Sequence, residues 1–204
     1  MPPGQAGPVA GFRSLSAAGK SIERLLNARF ESDDPIAGRT VKAVLVRTDD
    51  FETGSTASVI KPPAISLFLY RVDFNKAMRA AWSSVGSQEG RPHLPLDLHF
   101  LLTPWADNAE HEQQILGRAM QCLEAMPVLS GPLLDPSGNW APNEAIQVVL
   151  EDMTTEALMR TFDSLSADFR LSVPYIARPV RIDGDAIPPA TVTTVLAGIA
   201  AGAS

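Results

Sequence analysis

Hydrophobic positions in the first part of the chain recur at three- and four-residue spacing. Leu15, Ala18, Ile22, Leu25, Leu26 and Phe30 form one stripe, while Lys20, Glu23, Arg24 and Arg29 fall mostly off it. That pattern predicts a helix, weakened by Gly19 and ended by Asp33-Asp34-Pro35. The period then changes to two, and residues 40–47 read as a first strand. Asp, Thr, Ser and Gly over residues 49–62, leading into Pro62-Pro63, predict a loop. Ala64 to Val72 is a nearly continuous apolar run, as expected of a strand covered on both faces or lying at a subunit contact. Asn75–Gly90 is a long polar excursion that contains Trp82, and a loop of that length in a compact domain points to function or flexibility. Leu94, Leu96, Leu98, Phe100 and Leu102 make the cleanest alternation, with Pro95, Asp97 and His99 on the other face. Such a strand spans about 30 Å, and Pro95 belongs near its start or on an edge.

Thr103-Pro104-Trp105-Ala106 reads as a turn, and Asp107, three residues before Glu110, as a loose capping box. Ile115, Leu116, Ala119, Cys122, Leu123 and Met126 line one face of the helix that follows, Gly117 lies near that face where it would allow close approach to a sheet, and Pro127 stops the helix. Pro132–Pro142 is a loop with Trp140, Ala145–Leu150 a strand, and Thr154 the N-cap of a helix running to about Leu165. Leu171–Ile182 is a last extended segment, and Pro174 and Pro179 place it at a sheet edge. The order α-β-β-β-α-β-α-β predicts an α+β fold, an antiparallel or mixed β-sheet with helices packed mainly on one face. Residues 1–12 are expected to be a disordered extension, 13–183 a single domain, and 184–204 a Pro/Ala-rich tail.

Composition narrows the classes of function. The chain of 204 residues is 45% apolar, enough for a proper core, and carries a net charge of −6 with no Lys/Arg run, which argues against nucleic-acid binding. Cys122 is the only cysteine, so no intrachain disulfide is possible. The N-terminus lacks a basic region followed by an apolar stretch, and the apolar tail Val195–Ala201 is too short to span a bilayer. The expectation is cytoplasmic synthesis, with no signal peptide and no membrane insertion.

Candidate chemistry is sparse. His93, His99 and His111 lack partners at metal-ligand spacing, so no metal and no cofactor are predicted. Gly86-Ser87-Gln88-Glu89-Gly90 has the wrong order for a nucleophile elbow, and Cys122 sits on an apolar helix face. Asp97 and His99 share a strand face, where such a pair is usually solvated or matched across a strand. No catalytic residue is assigned. The two-faced apolar strand, with Ile65, Phe68 and Tyr70, and the loop tryptophans Trp82, Trp105 and Trp140 point instead to a large protein–protein interface.

Several stretches resemble one family. They are Pro63 to Val72, Arg91-Pro-His-Leu-Pro-Leu-Asp-Leu-His-Phe-Leu-Leu102, Glu110-His-Glu-Gln-Gln-Ile-Leu-Gly-Arg-Ala-Met120 running into Pro127-Val-Leu129, and Ser172-Val-Pro-Tyr175 with Arg181-Ile-Asp183. Over roughly residues 13–183 the chain resembles the cap, or tail-terminator, proteins of extracellular contractile injection systems of the antifeeding-prophage type. It departs at Phe162, where the family pattern has tryptophan, and at Leu171, where it has proline before the serine. The resemblance implies a tail-terminator-like fold and a non-enzymatic role. Such subunits form a homo-hexameric ring at the baseplate-distal end, contact inner-tube and sheath proteins, and stop elongation. It implies assembly in the cytoplasm into a particle that can be released. The apolar strand would then make ring or tube contacts, and the proline-broken segment with Tyr175 and Arg178 would reach a neighbour by strand addition. The alternatives are a neck or adaptor subunit of the same particle, or a small ligand-binding or enzymatic α+β domain.

Overall fold

The computed structural model describes residues 10–51, 59–78, 92–165 and 168–184. Helix α1 (Ser14–Ser32) is followed by strands β1 (Lys42–Val46), β2 (Ala64–Phe74) and β3 (His93–Trp105). Helix α2 (Ala109–Ala125), the short β4 (Val128–Ser130), β5 (Ala145–Leu150), helix α3 (Thr155–Asp163) and β6 (Val173–Asp183) complete the order. The six strands form one sheet in the order β1-β2-β3-β6-β5-β4. Only β1 and β2 run parallel; the other pairs are antiparallel. The fold is therefore α+β with a mixed sheet, as the periodicities predicted.

The main core lies on the face covered by α1 and α2. Ile22, Leu26 and Phe30 of α1 and Ile115, Ala119 and Leu123 of α2 meet Ile65 and Leu67 of β2 and Leu98, Phe100 and Leu102 of β3. The alternation along β3 is what turns those residues to one side. Gly19 matters here. A Cβ at that position would stand 2.8 Å from Leu45 Cδ2 and 3.4 Å from Phe100 Cε1, so the missing side chain lets α1 settle onto β1 and β3. Gly117, expected to serve this purpose in α2, is exposed and a Cβ there would meet nothing within 4 Å. The close approach belongs to α1. Trp140 closes the rim of the same core, its Nε1 donating to the Asp135 carbonyl at 2.7 Å, with Gly138 directly beneath its ring.

Four expectations are corrected. Leu171–Ile182 is not an edge: β6 lies between β3 and β5. Its prolines are accommodated individually, because the Pro174 carbonyl still accepts the Glu151 N–H at 3.0 Å and Pro179 falls within a register shift opposite Leu96 and Leu98. The turn at residues 103–106 is in fact the end of β3, with Thr103 and Pro104 paired to Ser66 and Ile65. The hydroxyls of Thr103 and Ser172 are 2.8 Å apart on the other side, so this polar end is held by strand neighbours. The cap of α2 is Asn108 rather than Asp107; its side chain accepts the His111 N–H at 2.9 Å. Finally, Ala10, assigned to the extension, is buried, and its carbonyl accepts the Asp183 N–H at 2.7 Å. Trp82, most of the 75–90 loop, and residues 1–9 and 185–204 lie outside the described residues.

Asp107, displaced from the cap, is held by two side chains: His111 Nδ1 at 2.8 Å and Arg39 Nη1 at 2.9 Å. The hydrogen bond from His111, then that from Arg39, pulls its carboxyl down to about 2. Because the folded value lies below the unfolded one, the contribution is present above about pH 4 and is lost as pH falls through about 2. A carboxyl-detected NMR titration is expected to read that low value and to show it rising in His111→Ala; an unchanged value in the variant refutes the assignment.

Candidate functional site

The second face of the sheet carries the features that the main core does not explain. At one end Phe51, Leu101, Phe162 and Leu165 form a small second core, with Phe68, Tyr70, Trp105 and Leu158 packed around it. Helix α3 contributes to it because Leu158, Phe162 and Leu165 recur at helical spacing. Phe51 meets Phe68 edge to face at 5.3 Å and Phe162 meets Phe169 the same way at 5.4 Å, while Phe51 lies tilted against Trp105 at 5.8 Å. Trp105 Nε1 donates to Ser66 Oγ at 2.9 Å, and the Arg170 guanidinium sits 4.4 Å over the Trp105 ring. The two-faced apolar character of β2 is thus the signature of a strand covered on both sides along its first half.

Beyond this aromatic cluster lies a polar one centred on His99, which is buried. His99 Nδ1 is 2.9 Å from Glu151 Oε2 and Nε2 is 3.3 Å from Asp73 Oδ2. Arg71 Nη2 donates to Glu151 Oε1 at 3.0 Å, and Arg71 Nε reaches Asp73 Oδ2 at 3.0 Å. The Tyr70 hydroxyl donates to Glu151 Oε2 at 2.8 Å. Burial, and then this bond to Glu151, push the Tyr70 phenol above its usual range, so it stays protonated. Asp97, directly opposite Asp73, accepts from Asn75 Nδ2 at 3.0 Å. The Asp97–His99 pair is therefore matched to neighbouring strands and segments rather than to each other. Tyr70 is held as a donor and Glu151 as a shared acceptor, so the cluster ties β2 and β3 to the connection between β5 and α3.

The predicted interface residues divide between the two faces. Phe68, Tyr70 and Trp105 come together on the second face, half-buried. Arg178 is exposed and lines a cleft with Asp73 and Asp97. Ile65 and Tyr175 point the other way into the main core and are buried, so their side chains offer no surface in this fold. Glu151, Arg71, Phe51 and Arg170 were missed. Glu151 looks like a loop residue just past a strand, and nothing local reveals that three donors converge on it. The spacing of Leu158, Phe162 and Leu165 was the available signal for a second covered face.

Among the described residues no group of three or more His, Cys, Asp or Glu side chains is placed to hold a metal, and no helix is long and apolar enough to cross a membrane. Fold and face together describe an α+β scaffold whose second face carries an aromatic core and a buried polar cluster. Residues 17–194 match the Pvc16 N-terminal domain, and the chain belongs to that family. Its fold is similar to that of the sheath/tube terminator of the extracellular contractile injection system PVC, solved in the extended state. The TM-score is 0.53 at 19% identity, over 96% of this chain and 65% of that one. It is also similar to the tube-terminating cap of the anti-feeding prophage, with a TM-score of 0.49 at 20% identity, over 84% of this chain and 54% of that one. The chain thus spans just under two thirds of the PVC terminator's length. Among curated proteins no sequence matches significantly.

Proposed function

We propose that this protein is a structural cap subunit of a contractile injection particle, a non-enzymatic terminator that ends growth of the inner tube and sheath. The observation that carries this reading is the shared fold with the PVC sheath/tube terminator over 96% of the chain, together with membership of the Pvc16 N-terminal domain family. A tube elongates because each ring presents a heterologous surface to the next. A subunit that matches the growing end but carries no copy of that end on its far side stops the process. The reading extends to a six-fold ring at the baseplate-distal end, with Phe68, Tyr70, Trp105 and Arg178 on the contacting face. Ile65 and Tyr175 would support that face from within.

Particles assembled without this chain, viewed by electron microscopy, are expected to show over-long tubes of variable length, restored to a uniform length by the intact gene. Tubes of normal length that have lost sheath attachment would instead identify an adaptor. Normal particles would refute both readings.

A further inference from the structure

The outer edge of β1 is closed by side chains, and the closure has a regular geometry. β1 pairs with β2 on one side only, and an open strand edge is a template for pairing with another chain. Successive residues of a strand turn their N–H and C=O groups to opposite sides, so every second residue faces outward. The outward ones here are Ala43, Leu45 and, just past the strand, Arg47. Asn27 Oδ1 accepts the Ala43 N–H at 2.9 Å while Asn27 Nδ2 donates to the Ala43 carbonyl at 3.0 Å. Glu23 Oε1 accepts the Leu45 N–H at 3.1 Å. Asp50 Oδ2 accepts the Arg47 N–H at 2.9 Å, and the Asp50 N–H returns to the Arg47 carbonyl at 3.1 Å.

The carboxamide of Asn27 therefore does what the peptide group of a neighbouring strand would do, one donor and one acceptor on a single residue. The spacing explains how a helix can do this along a strand. Residues four apart on a helix are about 6 Å apart along its axis, and residues two apart on a strand are about 6.6 Å apart. Gly19, Glu23, Asn27 and Glu31 lie at that helical interval, and Glu23 and Asn27 follow β1 in reverse, onto Leu45 and Ala43. Gly19 packs against Leu45, Glu23 takes the Leu45 N–H, Asn27 takes Ala43, and Glu31 pairs with Lys42 Nζ at 2.8 Å. Stability of α1 does not require this, since its apolar stripe already anchors it through Ile22, Leu26 and Phe30.

We infer that Glu23 and Asn27 form an edge guard: they occupy the backbone groups of β1 that the edge strand of a second copy of this chain would otherwise pair with, and so prevent sheet-to-sheet association. The inference is independent of the cap reading.

The test is the full chain carrying Glu23→Ala and Asn27→Ala, followed by light scattering across a concentration series and by hydrogen exchange at the Ala43 and Leu45 amides. The expected result is a rise of mean mass above that of the unsubstituted chain, measured at the same concentrations and whatever its own assembly state. In the associated species the two amides stay protected. An unchanged mass distribution with faster exchange at both amides overturns the inference, because the bonds then serve only the fold. If the double variant does not fold, Glu23→Ala alone, which uncovers only the Leu45 N–H, is read by the same two outcomes.

Discussion

Glu151→Ala is expected to lower the unfolding free energy by about 2–4 kcal/mol. The carboxylate is only 10% exposed and accepts from Tyr70, Arg71 and His99 at once. Truncation leaves three donors converging on an empty site, and a buried group stripped of its partner costs far more than the pair contributes. The lower half of the range allows for Arg71, which is 46% exposed and can turn to water. Glu151→Gln keeps an acceptor oxygen while losing the charge, so it should fall about midway. Urea denaturation checks both, with an unchanged slope confirming the same unfolding transition. A tyrosinate absorbance titration adds an independent reading, because the Tyr70 phenol, raised partly by Glu151, should move down in Glu151→Ala. A loss below about 1 kcal/mol would mean that the cluster is solvated and idle.

Phe162→Ala is expected to act locally and as strongly. Phe162 is buried at the centre of the second core, and α3 packs on the sheet through it and Leu158, with Leu165 just past the helix end. Removing a buried phenylalanine side chain costs about 3 kcal/mol or more through lost transfer energy and the cavity left behind. Opening of α3 should then become about 100-fold more frequent, read as faster hydrogen exchange at residues 157–165 with little change in β3. Phe162→Leu, which keeps most of the volume, should give a much smaller effect. Equal acceleration throughout the sheet would instead show that α3 and the sheet open as one unit.

The elements themselves were legible because one physical signal dominated each. The alternation from Leu94 to Leu102 has no helical interpretation, and the stripe from Leu15 to Phe30 has no strand interpretation. The errors arose where a local rule met a tertiary neighbour. Proline disfavours an interior strand, yet Pro174 and Pro179 lie in one, because Pro174 lacks only a donor and a register shift absorbs Pro179. Asp107 has the spacing of a cap, yet Arg39, distant in sequence, holds it elsewhere and Asn108 takes the position. The site was half-legible for the same reason. A two-faced apolar strand announces that both sides are covered, and Phe68 and Tyr70 followed from it, whereas Trp105 was read as a turn residue. Which face each residue takes depends on strand pairing, and Ile65 and Tyr175 went to the interior. Glu151 could not be found from local pattern, since its three partners come from two strands at least fifty residues upstream.

The central position of β6 has a consequence for the chain as it leaves the ribosome. β3 pairs with β6 from Leu102↔Val173 to His93↔Asp183, and the His93–Asp183 contact spans 90 residues. At roughly 5–20 residues per second, β3 is complete for about 4–16 s before its partner is fully synthesised. During that interval the nascent sheet exposes one long strand margin in the crowded neighbourhood of a polysome. The opposite margin, at β1, is shielded from the outset, because α1 precedes it in the chain. Neighbouring nascent chains therefore meet a half-built sheet that is open along β3 and, once it is made, along β5, and the emergence of β6 is the event that closes both.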